Sequence, residues 1–217
     1  DKVSKHLAAR KKIVDEYEAH VDACVKSSTQ HFRDMATEYL EFLVRRSPNH
    51  RTTQGDIPLD TPRGWLTYRG SERWAALLES SRQADEPVFR LWHRLIGLAK
   101  ESFARAAGEM ITTGLTGHHP AIVAAFAKAH PTNMLAAART YGVIIKEALT
   151  RPDSDITKLV FGPGSPVPPR DRDEIRIDLH RFLTERQLVN RNDGNKARTL
   201  MHKLTTLDAG GPIDRAM

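Results

Sequence analysis

The stretch VFRLWHRLIGLAKESF, residues 88–103, sets a long apolar series against four cation-forming side chains. At 100° per residue Val88, Leu91, Trp92, Leu95, Ile96, Leu98, Ala99 and Phe103 cover one broad arc, while Arg90, His93, Arg94 and Lys100 gather on the other side. That pattern predicts a helix with a buried face and a cationic face. Asp85 is a candidate cap and Pro87 fits a first turn, so the helix is expected from 86 to about 108, with Gly108 near its end. Gly97 falls mid-helix, where glycine costs about 1 kcal/mol relative to alanine, and this predicts a close approach on that side.

Helical spacing extends outward in both directions. Residues 3–46 place Val3, Leu7, Val14, Tyr17, Val21 and Cys24, then Phe32, Met35, Tyr39 and Leu43, at helical intervals, which reads as one long helix or as two consecutive ones divided at Ser27–Ser28–Thr29. The segment 47–64 holds three prolines and two glycines and reads as a connector. A helix over 71–83 begins at a serine cap candidate, Pro120 opens another that runs to about 130, and 133–149 forms the next. Residues 151–172 contain five prolines and two glycines, which predicts a loop or partner-contacting arm with one brief extended piece at Leu159–Phe161. Two helices, 173–189 and about 193–207, complete the chain.

The expected fold is therefore all-α, a multi-helix bundle with a long Pro-rich loop or arm before the last two helices. The expected organisation is an N-terminal long helix or helix pair (1–47), a linker (48–70), a central helical bundle (71–150), the Pro-rich arm (151–172), and a C-terminal helix pair with a tail (173–217).

Composition narrows the function classes. With 217 residues, 40% apolar and 28% charged, the chain is long enough and mixed enough to build a core without metal or disulfide staples. Its longest apolar run, near AIVAAFAKA, is far short of the roughly 18 residues of a membrane-spanning helix. The single cysteine, Cys24, excludes an intramolecular disulfide and any cysteine-rich zinc site, as suits a reducing compartment. The net charge is +6, and arginines outnumber lysines 22 to 11, a bias that either favours planar recognition of phosphate and carboxylate or reflects a GC-rich genome. The chain opens at Asp1 without a methionine, as it would after removal of an organellar leader or if the sequence begins late.

Motifs that encode chemistry are missing from the sequence: no phosphate-cradling glycine loop, GxSxG elbow, HExxH, CxxC pair or calcium loop occurs. Of the ten histidines only His118 and His119 adjoin, and they read as a solvated turn rather than a metal site. Glu16, Glu18, Asp171 and Asp173 sit among cations as ordinary surface charge. No enzyme activity, resident cofactor or metal site is expected.

Leu91-Trp92-His93-Arg94, followed by LIGLAK, resembles a degenerate form of the signature of the LYR-motif family. Those proteins are small, basic three-helix units of mitochondria that act as accessory subunits or assembly factors, and many dock the mitochondrial acyl carrier protein. Leu91 and Trp92 match the leucine and aromatic of that motif; His93 stands where its arginine is expected, and Arg94 follows one place late. Phe126, at 126 − 92 = 34 positions beyond the tryptophan, matches the phenylalanine of the second helix, giving a unit from 86 to 150. A second register competes, in which the segment 173–207 with Arg181-Phe182 supplies the later helices and the intervening ones are an insertion.

The resemblance implies a non-catalytic accessory or assembly subunit of a respiratory, ATP-synthase or mitoribosomal complex, in the mitochondrial matrix or on the matrix side of the inner membrane; without it the cytoplasm is expected. Arg90, Leu91, Trp92, His93, Arg94, Lys100 and Phe126 are then the partner-binding residues. The cations would grip an acidic acyl carrier protein, and its acylated 4'-phosphopantetheine would enter between helices lined by Trp92, Leu95, Ala99 and Phe126.

The alternative is RNA or DNA binding, with phosphate contacts from Arg170, Arg172, Arg176, Arg181, Arg186, Arg191, Lys196 and Arg198. Interleaved acids and the lack of an aromatic stacking platform count against it.

Overall fold

A computed structural model describes residues 1–50, 68–168, 172–180 and 191–211. Among them are ten helices and no strand, so the chain is all-α. None of these helices is long and apolar enough to cross a membrane. The fold divides into two compact units, residues 1–30 with 169–217 and residues 31–168.

The first unit is built from most of α1 (Lys2–Asp34) with α9 (Arg172–His180) and α10 (Arg191–Ala209). Tyr17, Val21, Cys24 and Ser28 repeat at intervals of four and three and form the buried stripe of α1; Ile175 and Leu179 of α9 and Ala197 and Leu200 of α10 are buried in the same unit, and Tyr17 meets His180 of α9 at 2.9 Å. Of the two readings of this segment, α1 runs unbroken through Ser27–Thr29, where the Thr29 hydroxyl donates to the Val25 carbonyl at 2.9 Å and is satisfied inside the helix. The helix instead ends at Asp34, and Met35 separates it from the next.

The second unit holds α2 (Ala36–Arg46), α3 (Tyr68–Gln83), α4 (Arg90–Ile96), α5 (Phe103–Thr113), α6 (Pro120–Ala129), α7 (Met134–Ala148) and α8 (Asp155–Phe161). α7 is its centre and touches α2, α4, α6 and α8. Two aromatic groups fill the interior. Phe32, Tyr39 and Trp74 stack in series with centroids 5.6 and 6.3 Å apart. Phe89, Trp92 and Phe126 surround Tyr141 at 5.7, 5.6 and 5.2 Å. Each such pair adds about 1 kcal/mol beyond the burial of its area.

Local chemistry fixes the helix ends here. Asn133 accepts from the Ala136 N–H at 2.9 Å and starts α7, Ser154 accepts from Thr157 at 3.2 Å and starts α8, and His130 ends α6 with a left-handed φ of 42°. The Pro-rich stretch thus holds a helix over 155–161 where an extended piece was expected, since its prolines flank that segment and do not interrupt it. Val160 and Val167 are buried, and Arg73 donates to the carbonyls of Pro166 and Pro168 at 2.7 Å, so this stretch packs onto the rest of the unit. α3 likewise begins three residues before its expected cap, and Ser71 is buried within it.

Candidate functional site

The opening stretch is two helices rather than one. α4 stops at Ile96 and α5 starts at Phe103. Asn49 and His50 account for the stop: Asn49 donates its side-chain amide to the Gly97 carbonyl at 3.2 Å, and the His50 ring donates to the Ile96 carbonyl at 3.2 Å, capping the end of α4 from outside. Gly97 is therefore a terminus. A Cβ there would meet nothing closer than 3.6 Å, so the expected close approach is absent. At the other end Asp85 is a turn residue with φ 49° and not a cap of α4.

The seven expected partner-binding residues divide into three groups. Leu91, Trp92 and Phe126 are core side chains with 0, 3 and 0% exposure, and they pack inside the second unit instead of facing a partner. Leu95 is buried with them while Ala99 is exposed, so the four residues expected to line an acyl channel do not share one face.

Arg90 and His93 are tied to the fold. Arg90 grips Asp85 in a bidentate pair, Nε and Nη2 donating at 2.8 Å, and donates also to the carbonyls of Asp85 and Gly117. Gly117 has φ 79°, and a Cβ there would collide with the guanidinium at 2.6 Å, so the arginine pins the turn before α6 to the turn before α4. Half-buried His93 lies 3.0 Å from the Ser81 hydroxyl, which itself donates to the Leu78 carbonyl at 2.7 Å. The histidine therefore supplies the proton of that contact.

Arg94 and Lys100 are the third group. Both are exposed, and neither forms an ion pair with any described residue; on α5 exposed Arg105 follows, with the exposed acids Glu101 and Glu109 before and after it.

Burial lowers the pKa of both His50 and His93 from 6.5; for His93 the neighbouring Arg82 adds to the effect, and for His50 Lys100 does, against the carbonyl bond to Ile96. A histidine held neutral in the folded state favours folding fully above its unfolded pKa and loses that contribution as pH falls through the folded value. The thermal midpoint of the protein is therefore expected to fall as pH drops from about 8 to about 5, with the loss beginning near the ordinary histidine pKa. His93→Gln should flatten part of that slope; a profile unchanged by the substitution would contradict the assignment.

Of the arginines expected to contact phosphate, the three with described side chains are engaged within the first unit. Arg172 donates to Glu18 at 2.7 Å and pairs with Asp22 at 2.9 Å; Arg176 donates to Glu18 at 2.5 Å and also to Asp173. Arg198 donates to Asn195 of its own helix. Arg170, Arg181 and Arg186, and the side chain of Arg191, lie outside the described residues. The two arginines that can be followed into ion pairs thus hold α9 to α1, and Glu18 and Asp173 are their partners rather than loose surface charge.

His118 and His119 do not form a solvated pair either. His119 caps α6 by accepting from Ala121 at 3.2 Å, whereas His118 is buried with neither ring nitrogen bonded.

One cluster has no counterpart in the expected sites. His20 and Cys24 are buried on the same face of α1, and Asp193 in the first turn of α10 brings its carboxylate to them. An imidazole nitrogen, the sulfur and a carboxylate oxygen all lie within 4.8 Å of one another. The His20 Nε2 is 3.0 Å from the Asp193 backbone carbonyl. Burial, with the Asp193 carboxylate beside it and Lys196 in partial opposition, pushes the Cys24 thiol up to about 12. A thiol so held is protonated at neutral pH and is not an activated nucleophile. The i, i+4 spacing of His20 and Cys24 was visible in the sequence; Asp193, 169 positions beyond the cysteine, was not.

No family model matches this chain, and comparison with curated proteins and with solved structures finds no match to it.

Proposed function

We propose that this chain is a non-catalytic helical accessory or assembly subunit that docks an acidic protein partner through the surface carrying Arg94 and Lys100. The single observation behind this reading is the contrast within one short stretch. Arg90 and His93 are consumed by the fold, whereas Arg94 and Lys100 stand exposed with no ion pair among the described residues. Cations held at the end of a capped helix and left without internal partners suit steering and orientation of an acidic surface. The Leu91–Arg94 resemblance extends the proposal to an acyl carrier protein of the mitochondrial matrix as the partner. The interior around Trp92, Phe126 and Tyr141 is packed with aromatic rings, so the contact proposed is with the carrier's acidic surface and phosphate and not with its acyl chain.

The experiment is a binding titration of the full chain with a purified acidic acyl carrier protein, in forms with and without phosphopantetheine. Association that weakens with salt, and weakens by roughly tenfold in the double variant Arg94→Glu/Lys100→Glu, is expected. Binding unaffected by that double variant would refute the surface. Salt-dependent binding of a single-stranded RNA in place of the carrier would shift the reading to nucleic acid.

A further inference from the structure

We propose that His20, Cys24 and Asp193 form a Zn²⁺-binding site that clamps α1 to α10 within the first unit. The argument starts from helix geometry. Residues four apart on an α-helix stand one above the other, so His20 and Cys24 present nitrogen and sulfur side by side. Asp193 enters from α10, and the three donors lie within 4.8 Å of one another.

Zinc takes imidazole nitrogen at about 2.0–2.1 Å and thiolate at about 2.3 Å, so two such ligands on a tetrahedron stand about 3.6 Å apart. The His20 Nδ1 stands 4.0 Å from the Cys24 sulfur, so joint ligation asks for a closure of about 0.4 Å. Orientation is also built in. With Nε2–H donated to the Asp193 carbonyl at 3.0 Å, Nδ1 keeps its lone pair, 4.0 Å from the sulfur. Metal-bound histidines commonly donate their second N–H to a backbone carbonyl in this way.

The donor set selects the ion. One thiolate and one imidazole disfavour magnesium and calcium, which take oxygen, and two anionic ligands balance a divalent charge. Binding releases the thiol proton to solvent and forms the metal–sulfur bond without any change of oxidation state. His20 and Cys24 are buried, and Asp193 is partly exposed, so the fourth position opens on the Asp193 side, where water completes the tetrahedron. The clamp would join segments 169 residues apart in sequence, 193 − 24, and reinforce the ion pairs of the same unit.

The test uses the full chain, stripped with a chelator and titrated with Zn²⁺ and with Co²⁺ as a spectroscopic probe. One equivalent of Zn²⁺ is expected to bind and to raise the melting temperature by about 5 °C at a large excess over Kd. Co²⁺ should show a thiolate-to-metal charge-transfer band. Cys24→Ser should abolish that band and weaken Zn²⁺ binding by roughly a hundredfold; Asp193→Asn, which preserves volume at a partly exposed site, should weaken binding while keeping the band. His202→Gln, at an exposed histidine of α10, should change neither. Stoichiometric binding insensitive to Cys24→Ser, cobalt bound without the sulfur band, or the lack of a tight equivalent would each overturn the site. Far-UV circular dichroism of the metal-free variants confirms that loss of binding is not loss of fold.

Discussion

Gly142→Leu is expected to destabilise the second unit by about 3 kcal/mol, a fall of roughly 10 °C in its melting temperature. The reason is the contact between α2 and α7, the most extensive in that unit. A Cβ at Gly142 would stand 2.0 Å from the Thr37 hydroxyl and 2.9 Å from the Thr37 Cα, so the obstruction includes backbone and cannot be relieved by rotating a side chain. The two helices would have to separate, and close-packed interiors resist that. Gly108 supplies a contrasting position. It also lies within a helix, α5, but a Cβ there meets nothing within 4 Å, so Gly108→Ala should stabilise by about 0.5–1 kcal/mol through helix propensity alone. Equal effects of the two substitutions on chemical denaturation would contradict the packing described.

Tyr141→Phe should cost about 3 kcal/mol although it removes a single oxygen. The hydroxyl accepts from the Trp92 backbone N–H at 3.0 Å and donates to the Val88 carbonyl at 3.0 Å, and Tyr141 has no exposed surface. Both backbone groups precede or open α4, where no turn of helix satisfies them. Deleting the oxygen leaves a buried donor and a buried acceptor unpaired, each costing about 1–3 kcal/mol. Burial also raises the phenol's pKa far above its ordinary value, so the hydroxyl keeps both roles across the neutral range. Neighbouring Thr140 donates only to the carbonyl four residues back, at 3.0 Å, and Thr140→Ala should be near neutral. A loss below about 1 kcal/mol for Tyr141→Phe would mean that solvent reaches these groups.

Helices whose ends carry their own chemistry were legible in the sequence. Pro120 before an apolar run marks α6 where it stands, and the helix expected over 133–149 is α7, Met134–Ala148. The division of 88–103 was not legible, because apolar residues continue across it at helical intervals. The groups that terminate α4 come from Asn49 and His50, almost fifty residues earlier. α8 was hidden by proline count, although Ser154 and Gly162 bound it as cap residues.

Charge was the harder problem. Asp85 and Arg90 are five residues apart, near enough for their pairing to be anticipated, yet Glu18 with Arg172 and Arg176 joins opposite ends of the chain. A one-dimensional count of arginines therefore overstated the cations available for phosphate. The same distance in sequence hid Asp193 from His20 and Cys24.

The central functional claim is that the cations of this stretch are split between fold and partner, and one paired measurement tests it. Arg90→Gln and Arg94→Glu are each assayed for thermal stability and for affinity toward the acidic carrier protein. Arg90→Gln, which loses a bidentate pair to a well-exposed aspartate and a bond to the Gly117 carbonyl, should lower stability by about 1 kcal/mol and leave affinity near that of the parent. Arg94→Glu should leave stability within about 0.5 kcal/mol and weaken association. Loss of affinity in Arg90→Gln with none in Arg94→Glu, or stability effects in the reverse order, would contradict the account.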